Sequence, residues 1–157
     1  MRAAPLVGRR ERGFTLLELI AVLAIAALVM GVSAPAMQRL YQSAQYRSAV
    51  SDVVSELNAA RIQAIRSGTP NDVMIDPVAR SITRGQQVHS LPESFKLTVL
   101  GSRELNRDGV GVIRFYADGA SSGGNVTVTH ANGMSAQVQV DWLLGRVSLC
   151  KQDCGMP

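Results

Sequence analysis

The hydrophobic pattern divides the chain into a long helical part and a strand-rich part. From Phe14 to Val32 only Thr15 and Glu18 are polar, so this segment is apolar on every side. Beyond residue 37, apolar side chains recur at three- and four-residue steps and form one stripe: Val50, Val53, Val54, Leu57, Ala60, Ala64 and Ile65. This period predicts one helix over 14–67, apolar all round in its first half (14–36) and amphipathic in its second half (37–67).

Two prolines mark special points of this helix. Pro35 lies inside it, where proline removes a backbone hydrogen bond and clashes with the preceding turn, so a kink or a local break is expected there. The run Ser67-Gly68-Thr69-Pro70 ends the helix, because glycine suits the carboxyl-terminal cap and proline follows just beyond it.

From Asn71 onward the hydrophobic period changes to two, which predicts strands. Seven are expected: 72–76, 80–84, 95–100, 112–116, 125–130, 136–141 and 146–149. Asn132-Gly133, between two alternating segments, is the clearest hairpin signal, whereas the segments 86–93 and 101–111 look irregular. The pattern predicts an α+β fold, in which the amphipathic half of a long amino-terminal helix packs on an antiparallel sheet domain over 71–157.

The apolar half of the helix is long enough for one membrane span of about 20 residues. Most of the net charge of +4 lies before it, since residues 1–13 hold four arginines and one glutamate. This charge fits the positive-inside rule and predicts a cytoplasmic amino terminus with the sheet domain across the membrane. An ordinary secretory signal ending at Ala34-Pro35-Ala36 is the alternative, but Glu18 would interrupt its apolar core and the helical pattern continues past Ala36.

The amino terminus resembles that of type IV pilins and of the pseudopilins of type II secretion. The resemblance rests on the basic leader 1–13, on Pro35, and on Gly13 followed by Phe14-Thr15-Leu16-Leu17-Glu18. It implies that a prepilin peptidase cuts between Gly13 and Phe14 and methylates the new amine of Phe14. It also implies that the Glu18 carboxylate faces the Phe14 ammonium of a neighbouring subunit in a filament, a pairing that lowers the cost of each charge in lipid.

Two later segments extend the resemblance to the H-type minor pseudopilins and their relatives among type IV pilus minor pilins. They are 115–124, with Phe115-Tyr116-Ala117-Asp118-Gly119, and 140–147, with Trp142-Leu143-Leu144-Gly145; the helix end 58–68 is also similar. Ordinary turn glycines and core aromatics are the alternative explanation of these segments. The family implies a subunit of the periplasmic pseudopilus, anchored in the inner membrane, with other pseudopilins as partners and a sheet domain that contacts neighbours or secreted cargo.

The carboxyl end holds both cysteines, Cys150 and Cys154, in what should be an oxidising compartment. We expect a disulfide between them, and two unpaired thiols are the alternative. A metal site is not expected, because the other ligands are missing nearby. The lone His89 and His130 are expected to be surface or hydrogen-bonded histidines.

The sequence contains no recognisable catalytic site and indicates no cofactor. The glycine-rich segment 119–124 lies between strands rather than before a helix, and Ser121 and Ser122 have no identifiable base. Two functions remain, a pseudopilus subunit and a type IV minor pilin that assembles pili or takes up DNA. DNA binding would need clustered cations, for which the candidates are Arg103, Arg107, Arg114, Arg146 and Lys151. Because Glu104 and Asp108 dilute this group and residues 14–157 carry a net charge of only +1, the sequence argues against nucleic acid and favours secretion.

Overall fold

The computed structural model describes residues 13–102, 104–106 and 109–150, without the side chains of 32–36. One helix, α1, runs from Leu16 to Ser67 and ends at the predicted residue. Eight strands follow: β1 (Asn71–Asp76), β2 (Ser81–Arg84), β3 (Gln87–Ser90), β4 (Phe95–Gly101), β5 (Gly111–Phe115), β6 (Gly124–His130), β7 (Ser135–Val140) and β8 (Val147–Cys150). The predicted α+β class is confirmed.

The strands form two antiparallel four-stranded sheets. The first has the order β3-β2-β1-β5 and the second the order β4-β6-β7-β8. Strands β4 and β5 run beside each other where the sheets meet, and a Cβ on Gly111 would lie 2.2 Å from a methyl carbon of Val99. Only a glycine fits at this close approach.

Two expectations about the sheets were wrong. The single predicted sheet is two sheets, because β1 pairs with β5 while β4 pairs with β6. The segment 86–93, expected to be irregular, contains β3, which pairs with β2 through Ile82 and His89 and through Thr83 and Val88. This strand lies at the edge of its sheet and its side chains are mostly exposed, with Val88 at 64%. Its sequence therefore lacks the alternation of apolar and polar residues that predicted the other strands.

The core lies between the second half of α1 and both sheets. Val53, Leu57, Ala60 and Ala64 of the predicted stripe are completely buried. They belong to one cluster with residues of the first sheet, among them Ile75 and Phe115, and of the second sheet, among them Val126, Val128 and Val138. One face of α1 thus packs against both sheets, whose strands are hydrogen-bonded within each sheet.

The chain separates into two compact units, Met1–Gln42 and Ser43–Pro157. In the first unit α1 continues through Pro35, so the local break does not occur there, and a kink stays a prediction. Within the part of the chain that the structure describes, no helix combines the length and the apolar character that crossing a membrane requires. The leader 1–13 lies outside the described residues except for Gly13.

Candidate functional site

The start of α1 is held by Thr15, which acts as its amino-terminal cap. The Glu18 backbone N–H donates to Thr15 Oγ1 at 3.2 Å, and the Leu19 N–H donates to the Thr15 carbonyl at 3.2 Å. Thr15 and Glu18 have the spacing of a capping box, and a carboxylate in the first turn is stabilised by the positive end of the helix dipole. Glu18 therefore has a favourable local position, and the Thr-x-x-Glu motif is the sequence signal by which this cap can be found.

Gly13 and Phe14, the two residues of the predicted cleavage site, lie just before this cap. A Cβ on Gly13 would meet no atom within 4 Å, and the Phe14 side chain is 83% exposed. The apolar side chains that follow are also exposed, with Leu16 at 78%, Leu17 at 79% and Leu28 at 73%. Nothing in the described part of this unit covers them, so the segment offers a large apolar surface to lipid or to another chain.

A second candidate surface is the loop between β7 and β8, residues 141–146, which we call the Trp142 loop. Its apolar side chains point to solvent, since Trp142 is 67%, Leu143 60% and Leu144 53% exposed. The alternative explanation of Trp142 as a core aromatic is thus wrong, whereas Phe115 is indeed completely buried. The Asp141 carboxylate fixes the turn by accepting the Leu143 N–H at 3.0 Å and the Leu144 N–H at 2.6 Å.

The segment 116–124 supports the Trp142 loop from behind. The buried Ser121 donates its hydroxyl to the Asp141 carbonyl at 2.8 Å, and its backbone N–H donates to the Trp142 carbonyl at 2.9 Å. Ser121 Oγ also accepts the Gly123 N–H at 3.0 Å. The two segments singled out by the family resemblance therefore form one hydrogen-bonded unit.

The end of α1 is the third part of this unit. Arg61 Nε donates to the Gly119 carbonyl at 3.3 Å. That carbonyl lies so close to Gly145 that a Cβ there would be 2.3 Å from it, and Gly145 has a φ of 57°. The helix, the 116–124 segment and the Trp142 loop are thereby held in one arrangement.

Of the candidate DNA contacts, Arg114 already has a partner. Its Nε and Nη2 donate to the two carboxylate oxygens of Asp72 at 2.6 and 2.7 Å. The hydrogen bond to Asp72 raises the pKa of Arg114 above its ordinary value. Arg103, Arg107 and Lys151 lie outside the described residues, and Arg146 is exposed.

The histidines and cysteines give no metal site in the described ranges. His89 Nε2 lies 3.2 Å from Asp52 Oδ2. His130 is buried and makes a T-shaped contact with Phe95, with ring centroids 4.8 Å apart, and its Nδ1 accepts the Asn132 N–H. No group of three or more His, Cys, Asp or Glu residues among those described could hold a metal. Cys150 ends β8, but Cys154 lies outside the described residues, and their pairing stays a prediction.

Comparison with known families identifies both parts of the chain. Residues 8–34 match the prokaryotic N-terminal methylation motif, and residues 49–144 match the type II transport protein GspH family. The chain belongs to the GspH family. The type II secretion system protein H of Xanthomonas campestris pv. campestris is 36% identical over 148 residues, which cover 93% of this chain and 87% of that protein.

Solved structures of two similar proteins have the same fold as this GspH-family chain. The minor pseudopilin EpsH from the type 2 secretion system of Vibrio cholerae has a TM-score of 0.52 at 18% identity, covering 66% of this chain and 94% of that one. The type IV minor pilin FimU of Pseudomonas aeruginosa has a TM-score of 0.51 at 12% identity, covering 66% of this chain and 86% of its own. The pilin-like α+β architecture expected from the sequence is confirmed.

Proposed function

We propose that this chain is a minor pseudopilin, a structural subunit of the periplasmic pseudopilus of type II secretion. Membership of the GspH family and the 36% identity to a type II secretion protein H support this role. The fold alone does not separate it from a type IV minor pilin, because EpsH and FimU score almost equally. The bidentate pairing of Arg114 with Asp72 removes one of the cations that DNA uptake would use.

The observation that carries the proposal is the exposed apolar segment that begins at Phe14 and contains Glu18 in its first turn. In a filament of packed helices this surface would be buried, and Glu18 would be the acid nearest to the amino terminus of the next subunit. A carboxylate and an ammonium that are both removed from water are each costly alone and less so as a pair. The same segment would hold the unassembled subunit in the inner membrane, with residue 13 on the cytoplasmic side and the sheet domain in the periplasm.

Processing belongs to the same proposal. A prepilin peptidase would cut after Gly13 and methylate Phe14, which matches the N-terminal methylation motif over residues 8–34. The open surroundings of Gly13 and the exposed Phe14 leave the bond accessible to such an enzyme. Cleavage would place the new ammonium one residue before the Thr15 cap.

Deletion of the gene tests this function in the source bacterium. We expect the substrates of type II secretion to accumulate in the periplasm, and plasmid-borne wild-type protein to restore their release into the medium. Twitching motility and uptake of labelled DNA are measured in the same strains. Normal secretion together with a loss of motility or DNA uptake would contradict the proposal and support a type IV minor pilin.

A further inference from the structure

We propose that the Trp142 loop is a docking element that contacts another pseudopilin through an apolar recess bordered by carboxylates. This inference rests on the proposed function and names the surface of the sheet domain through which a neighbouring subunit is recognised. The Trp142 loop projects three large apolar side chains that each expose more than half of their surface. Tryptophan is also among the residues that most often dominate binding energy at interfaces.

The Trp142 loop is held in its conformation before any partner binds. Asp141 caps its turn, Ser121 binds its backbone at two points, and Arg61 ties the adjacent Gly119 carbonyl to the helix. A loop that is already ordered loses little conformational entropy on binding, so more of its contact energy appears as affinity.

The size of the surface indicates what kind of contact it makes. With an aromatic side chain burying about 150–250 Å², the three exposed side chains together offer roughly 300–400 Å². A stable pair of proteins needs about 800 Å² from each partner. The Trp142 loop is therefore too small to hold two free copies together, and it suits one contact among several, as in a filament whose helices provide the rest.

The charges beside the Trp142 loop favour a protein over a membrane surface. Arg61 lies beside it and Arg146 is its last residue, and among the described residues neither forms an ion pair. Asp118 and Asp141 lie in the same unit and offset these two charges, so the region lacks the excess of positive charge that anionic lipid attracts. Each carboxylate already accepts backbone N–H groups of its own turn, whereas the guanidinium groups keep donors for a carboxylate across an interface.

Site-specific crosslinking in living cells tests this surface with the full-length protein. A photoreactive amino acid replaces Leu143 in one strain and Val78 in a control strain, since Val78 is 86% exposed in the β1–β2 turn of the same unit. Adducts with proteins are identified with antibodies against each of the other pseudopilins of the same secretion system and against the tag of a second copy of this chain. Adducts with lipid are identified by their mass. We expect an adduct with one other pseudopilin from position 143 and none from position 78.

A variant carrying Leu143→Ser and Leu144→Ser supplies the energetic test. Because Trp142 is the only tryptophan in the sequence, its fluorescence reports whether the loop keeps its structure. If the emission maximum and the membrane content are unchanged, we expect secretion to fall by about fivefold or more, which corresponds to a loss of about 1 kcal/mol of binding free energy. The control Val78→Ser should secrete normally.

The inference is overturned if position 143 gives no pseudopilin adduct, only lipid adducts, or only adducts with the second copy. It is also overturned if the double serine variant secretes like the wild type. These outcomes can be told apart from failure of the proposed function, because in that case deletion of the whole gene would leave secretion normal. If deletion of the gene blocks secretion but position 143 gives no pseudopilin adduct, the docking role alone is rejected.

Discussion

Gly145 illustrates how one residue can determine the shape of a surface. Its φ of 57° lies in the left-handed region, and a Cβ would be 2.3 Å from the Gly119 carbonyl oxygen. Arg61 crowds the same position from the helix, with Nε at 3.1 Å from that Cβ. The sequence showed Gly145 only as part of the 140–147 segment. The backbone of Gly119 and the side chain of Arg61 come from distant positions, so their contact with Gly145 could not be predicted.

Replacing Gly145 with alanine should destabilise the protein by more than the left-handed backbone alone explains. That strain costs about 1–2 kcal/mol for a residue other than glycine. Gly85→Ala is the matched control, since Gly85 has a φ of 58° and open space around it. Thermal unfolding of the two full-length variants, followed by circular dichroism, should give the lower melting temperature for Gly145→Ala. Equal melting temperatures would show that the Gly119 carbonyl moves away at no cost.

The cleavage site is a second prediction at the scale of single residues. Intact-mass measurement of protein extracted from membranes should show a chain that begins at a methylated Phe14. Gly13→Val should block processing, because a side chain would obstruct the close approach of the peptidase to the backbone. A mature chain that begins after Ala36 would instead establish an ordinary secretory signal.

At the scale of elements, α1 was the most predictable part of the chain. Its stripe repeats at three- and four-residue steps, and four of its members, Val53, Leu57, Ala60 and Ala64, are completely buried. Ile65 was assigned to the same stripe but is 46% exposed. Its side chain lies beside Gly119 and not in the core.

The strands were located to within a residue or so at each end, but their arrangement was not. Period-two alternation shows which residues face a core, and it does not show which strands are neighbours. Strand β3 was missed since its side chains are mostly exposed and its identity depends on backbone pairing with β2. The Trp142 loop was noticed as a motif, but its exposure depends on the packing of Ser121 and Gly123 behind it.

Leu57 should contribute more to stability than any exposed residue of the same helix. Leu57→Ala removes a completely buried side chain and should cost about 2–5 kcal/mol, since the cavity adds to the lost transfer energy. Ile62→Ala removes a similar volume from a side chain that is 48% exposed and should cost much less. Urea unfolding of both variants measures the difference. Similar midpoints would contradict the packing of α1 on the sheets.

The end of β8 carries the predicted disulfide. If Cys150 and Cys154 are paired, protein taken from the periplasm without reductant should react with no thiol reagent. Full labelling of both cysteines would refute the bridge. Because the closed loop is short, the stabilisation should be at the low end of the 2–4 kcal/mol typical of disulfides. Its effect would then be to order the residues that follow β8.

At the scale of the whole molecule, the two compact units differ in how much of their apolar surface is buried. The second half of α1 and the two sheets share one buried hydrophobic core. The first half of α1 exposes its apolar side chains and begins with Thr15 and Glu18 at its cap. We therefore expect the apolar side chains of the first half of α1 to become buried when the subunit assembles with other subunits. This is the central claim.

Crosslinking between this chain and the other pseudopilins in membranes tests that claim most directly, with wild type, Glu18→Leu and Glu93→Leu compared at matched expression. Glu93 is the control, because its side chain is 95% exposed in the sheet domain. Glu18→Leu should leave membrane content intact but lose the crosslinks, since breaking a buried charge pair typically costs about 3–5 kcal/mol. Crosslinks that persist in Glu18→Leu would show that Glu18 does not pair with the terminal ammonium of a neighbour. This would be expected of a subunit at the filament tip, which has no subunit above it. The absence of crosslinks from the wild type itself would contradict the account.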